Sequence, residues 1–121
     1  MANTFKVINF AAEPNSAGTP FTMYTVASST TTVVLGLVLA NINTTAVTAE
    51  VELVSTTSNR AGANNAANGT SFLVKDVNIP SGTSLELLSG GKVVLEAGDV
   101  LRIDCSVADK LSGTLSVMEI T

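Results

Sequence analysis

Few residues in this 121-residue chain are equipped for chemistry. Cys105 is the one thiol, with no histidine in the chain to take its proton and no second cysteine to pair with. It falls in step with Leu101 and Ile103, and a thiol among apolar neighbours stays protonated and inert unless a cation stabilises the thiolate. Glu50 and Glu52 lie on one strand face with Cα atoms about 7 Å apart, a separation that carboxylate pairs in glycosidases approach. Nothing in the sequence predicts a cleft there, and a charged outer strand face is the ordinary result. Asp99, Asp104 and Asp109 offer hard oxygens to calcium, but their even spacing does not fit an EF-hand loop. The acceptor patterns at Asn43-Thr44-Thr45 and Asn68-Gly69-Thr70 are the chance product of a chain with 10 Asn and 16 Thr. Sugar binding on β-sandwiches leans on exposed aromatic rings, and here there is no Trp and one Tyr, Tyr24. The expectation is a protein that is not an enzyme, with no catalytic residue, cofactor or metal ligand to assign.

Charge narrows the partners. The net charge is −4 and the six basic residues stand singly, so no basic stripe exists to neutralise phosphates, and nucleic acid is not expected as a partner. The opening residues 1–6 lack a charged region followed by an apolar run, so synthesis in the cytoplasm is expected. The longest apolar stretch, residues 33–40, is far short of the ~20 residues that span a bilayer, and no membrane association is expected.

The elements that position these residues read as strands. Sixteen Thr and 15 Val against 6 Glu and 4 Lys favour pleated structure, because β-branched side chains lose rotamer freedom in helices. Apolar alternation broken by turn residues predicts strands at 4–10, 21–27, 31–41, 46–56, 71–77, 83–88, 93–96, 100–105 and 114–120. A long surface loop at 57–70 and a glycine hairpin at 89–92 connect them. Eight or nine strands in a chain of this length imply one domain, 1–121: an all-β, antiparallel β-sandwich of jelly-roll type. Residues 1–20 are expected to serve as an N-terminal arm.

Composition points to association. Hydrophobic residues make up 45% of the chain, charged residues only 13%, and the mean hydropathy is +0.42. A domain of this size buries only about two-thirds of its surface, so some apolar surface is left over to form interfaces. The segment 31–41 is apolar on both faces and must be covered on both, by another element or by another subunit. Its second face, Val34, Gly36 and Val38, and the N-terminal Phe5, Val7 and Phe10 are the candidate interface residues.

Three segments, TVVLGLVLAN (32–41), FLVKDVNIPSG (72–82) running into SLELL (84–88), and KVVLEAGD (92–99), resemble small virion structural proteins of tailed bacteriophages. The likeness covers roughly residues 31–120 and is one of strand and turn pattern. It implies a non-enzymatic homo-oligomer in the virion, whose partners are copies of itself and the major capsid protein or other virion proteins. A capsid decoration or cement protein is the leading expectation. A tail or neck component and a host-surface carbohydrate-binding module are the alternatives.

Overall fold

The computed structural model describes residues 2–55, 69–88 and 91–121. The long loop at 57–70, apart from its last two residues, and the start of the hairpin at 89–92 lie outside the described residues, as does Asn68. Among the described residues nine strands are formed: β1 (Asn3–Glu13), β2 (Phe21–Thr25), β3 (Thr31–Asn41), β4 (Val47–Val54), β5 (Thr70–Ile79), β6 (Ser84–Leu87), β7 (Val93–Leu95), β8 (Val100–Cys105) and β9 (Leu111–Ile120). No helix occurs among the described residues.

The strands pair as one long antiparallel ribbon folded at β4 and β5. Along the ribbon β1 meets β9, β2 meets β8, β3 meets β6 and β7, and β4 meets β5. Rolling it up brings β3 beside β9 and β4 beside β8. Two sheets result, β1-β9-β3 with β6 and β7 end to end on the far edge, and β2-β8-β4-β5. This is a jelly roll, a β-sandwich of two antiparallel sheets.

Inward positions of both sheets fill one core, with Leu39, Ala49, Val51, Leu95, Ile103, Leu111, Leu115 and Val117 fully buried. Phe10 of β1 and Phe21 of β2 close one side, ring edge to face with centroids 5.3 Å apart. The Phe10 ring lies over Gly113, its cross-strand partner, and occupies the space that a Cβ there would need. The buried Asn41 ends β3: its Nδ2 donates to the carbonyls of Thr45 and Ile79, and its Oδ1 accepts the Asn43 N–H. Both amide protons and the amide oxygen thereby have a partner, as burial of an amide requires.

Two expectations are corrected here. The first residues do not form a separate arm: the strand expected at 4–10 runs from Asn3 to Glu13 and belongs to the sheet, in continuous register with β9 from Asn3↔Ile120 to Phe10↔Gly113. Its alternate residues Ile8 and Phe10 pack on the core, and that burial draws the segment into the sheet. Val34 is not on an outer face; only 1% of it is exposed. The register of β3 against β9 shifts between Val34 and Gly36, so an extra residue, Leu35, is inserted. A bulge of this kind reverses which parity faces inward. Thr32 and Val34 point to the core before it, Leu37 and Leu39 after it.

Candidate functional site

Cross-strand registers assemble the outer face of the five-stranded sheet from rows of residues. One row runs Phe5–Met118–Val33–Val94 across β1, β9, β3 and β7. The next holds Val7, Ser116 and Gly36, and a further one Asn9, Thr114, Val38 and Glu86. Ile120 sits between Asn3 and Thr31. Phe5 is 71% exposed, Val7 67% and Val94 59%, unusual values for such side chains. Leu35, carried outward by the bulge, joins Phe5, Val7 and Ser116 around a depression of about 270 Å³. Open space stands above Gly36. Within these rows Glu86 is the one charged residue.

The charges of β1 and β9 are turned the other way. Lys6 and Glu119 stand on the inner parity of their strands, where Nζ and Oε1 pair at 2.8 Å. Tyr24 of the opposite sheet donates its hydroxyl to Glu119 Oε2 and lies 2.8 Å from the buried Thr32 hydroxyl. Burial, and then the hydrogen bond to Glu119, push the Tyr24 pKa up to about 12. Glu119 is held below the usual carboxylate range, by Lys6 first and Tyr24 second. This cluster links the two sheets: Glu119, its side chain 13% exposed, is held between them, and Lys6, about half exposed, reaches it from β1.

The outer face of the four-stranded sheet is built differently. Glu52 pairs with Arg102 across β4 and β8, and Glu50 with Lys75 across β4 and β5 at 3.0 Å. Lys75 also stands 4.6 Å from the centre of the Phe72 ring, in the range of a cation–π contact. A cavity of about 370 Å³ at one end is lined by Gly18, Glu50, Asp76, Asp104, Cys105 and Ser106, among others. Its groups are engaged in the fold. Asp104 Oδ1 accepts the N–H groups of Gly18 and Cys105, and Cys105 is a buried free thiol whose pKa burial raises. Glu50 and Glu52, one strand face apart, each serve a different cation. Asp99 is fully buried and accepts the Glu96 N–H in the turn before β8, and Asp109 sits at φ 59 in the turn before β9. No group of three or more metal-ligating side chains gathers among the described residues.

Of the six candidate interface residues, Phe5, Val7 and Val38 are exposed on the apolar face and Gly36 lies half-buried on it. Phe10 is half-buried and turned inward, and Val34 is core. Sequence reasoning missed Val33, Leu35, Met118, Ile120 and Val94. The alternation of β9 and β7 could have found the last three; the bulge that turns Val33 and Leu35 outward has no signal beyond Gly36. The second face of β3 is not covered by another element among the described residues.

Comparison with protein-family models, curated proteins and solved structures finds no match.

Proposed function

We propose that the chain is a non-enzymatic structural subunit of a bacteriophage virion, a capsid decoration or cement protein seated by the outer face of its five-stranded sheet. The observation that carries this reading is that face, a broad apolar surface with Glu86 as its one charge in the rows described. Such a surface, with Phe5, Val7 and Val94 each more than half exposed, suits a partner as apolar as itself. The resemblance of the strand and turn pattern to small virion proteins supplies the setting, and jelly rolls recur in viral capsids. Each copy then makes a modest contact, and the repetition of sites on a shell multiplies it.

The test is immunogold labelling and cosedimentation with the particles made in the cells that produce the protein. The chain is expected on the heads, and Val94→Asp, which places a charge at an exposed position of the apolar face on β7, is expected to remain in the supernatant while keeping its fold. Label confined to tails moves the reading to a tail or neck component. A protein absent from the particles overturns it.

A further inference from the structure

The two sheets present four edges, and three of them are protected by the means that proteins use to stop strands from pairing with other chains. The β2 edge is five residues long, follows Pro20, and is bulged between Thr22 and Tyr24. The β5 edge shifts register twice against β4 and turns through Asp76 at φ 51. The edge opposite β1 is divided between β6, of four residues, and β7, of three. The edge of β1 has none of these devices from Asn3 to Phe10: no proline, no bulge, and one charge, Lys6, whose ammonium is bound to Glu119. Among the described residues no strand pairs with it.

Hydrogen-bond parity shows what this edge offers. Ala2 and Thr121 exchange both backbone bonds, N–H to carbonyl in each direction. Bonded and non-bonded pairs alternate along an antiparallel ladder. Thr4, Lys6, Ile8 and Phe10 are therefore the residues bonded to β9, and the N–H and C=O groups of Asn3, Phe5, Val7 and Asn9 point away from the sheet. The same four residues carry their side chains on the outer face.

We infer that the free edge of β1 pairs antiparallel with β1 of a second copy of this chain, about a two-fold axis, joining the two five-stranded sheets into one. Charge argues for a second copy as occupant. Two identical edges meet here without an unpaired charge on either, because each Lys6 is neutralised within its own chain. The axis proposed passes through Val7, setting Lys6 against Ile8 and Phe5 against Asn9, where an axis through Lys6 would place the two lysines directly opposite at about 4.5 Å between Cα atoms. The apolar face then runs unbroken across both copies. This inference concerns copies in solution and stands apart from the virion reading.

The experiment is light scattering on a sizing column with the full chain and two variants. The wild type is expected at twice the 12.3 kDa chain mass. Val7→Pro removes one outward N–H and no bond to β9, and proline is tolerated at such a position of an edge strand; it is expected at the mass of one chain with an unchanged melting temperature. Val7→Cys is expected to form a covalent dimer on oxidation, since cysteines facing each other across this axis fall within disulfide reach and the native Cys105 is buried. A monomeric wild type at high concentration overturns the inference, as does a dimer that survives Val7→Pro. If Val7→Pro does not fold, the crosslink decides: a Val7→Cys chain that is folded and stays uncrosslinked overturns it as well. Val94→Asp, across the sheet from this edge, leaves the dimer intact, so loss of particle binding and loss of the dimer are separate results.

Discussion

The two outer faces of this sandwich have opposite chemistry. On the four-stranded sheet the two glutamates of β4 each have an answering charge, Arg102 for Glu52 and Lys75 for Glu50. Glu50 and Asp104 are even direct cross-strand partners, a juxtaposition of like charges that ordinarily destabilises. The arrangement holds because Glu50 turns to Lys75 while Asp104 is occupied by two backbone N–H groups. Such a face is complete in water. On the five-stranded sheet Lys6 and Glu119 pair on the inner parity of β1 and β9 instead, and the outer rows hold Phe, Val, Met and Ile among Ser, Thr and Asn, with Glu86 as their one charge. The difference teaches that low overall charge is not spread evenly: one face has its ion pairs, the other has been cleared of them.

The largest effect separates the two sides of the five-stranded sheet. Val34→Asp buries an unpaired carboxylate at a position 1% exposed and is expected to abolish the fold, a loss of more than about 4 kcal/mol. Val94→Asp, on the same sheet but 59% exposed, is expected to change stability by less than about 0.5 kcal/mol. Urea titration followed by circular dichroism reads both. Equal losses in the two variants would show that the outer face is covered within the chain, and the comparison would collapse.

A smaller effect probes the charged face. Glu52 is 7% exposed and holds Arg102, whose side chain is about one-third exposed. The Arg102 Nε has no partner of its own, so the guanidinium relies on this carboxylate. Glu52→Gln removes half of the pair, and because water reaches the arginine, the cost is expected at about 1–2 kcal/mol rather than that of a fully buried pair. The urea midpoint measures it. An unchanged midpoint would mean that the charged face contributes solubility alone.

How far the sequence foretold this comparison differs between the two faces. Alternation in residues 46–56 placed Val47, Ala49 and Val51 inward and Glu50 and Glu52 outward, and the structure has them so, because one apolar and one polar face leaves a single register open. The strand bounds at 31–41 and 100–105 were legible from the turn residues around them, and the others differ by no more than three residues. In β3 both faces are apolar, so alternation carries no sign, and the bulge at Leu35 decided the faces without a trace in residue type. The N-terminal strand was readable as a strand but not as an edge, since pairing with residues more than a hundred positions away is a property of topology. Lys6 and Glu119 could not be joined for the same reason.

The finest test asks whether the charge of the five-stranded sheet is indeed held inward. Tyr24 is the single tyrosine in a chain without tryptophan, so the ultraviolet spectrum of tyrosinate reports on that one residue. Its ordinary pKa is 10.0, and against Glu119 it is pushed up to about 12. Between those values the folded chain keeps a proton that the unfolded chain has released. The contribution to stability is therefore complete below pH 10 and falls as the pH rises through 12. Glu119 works at the other end of the scale: its carboxyl is held below 4.5, so its contribution is present above that pH and is lost as the pH falls further. Titration of the folded protein is expected to give a midpoint near 12, and Glu119→Gln to lower it while leaving it above 10, because burial is the larger cause. A wild-type midpoint at 10 would mean that Glu119 does not face Tyr24. The carboxylate would then lack one of the two partners that hold it between the sheets.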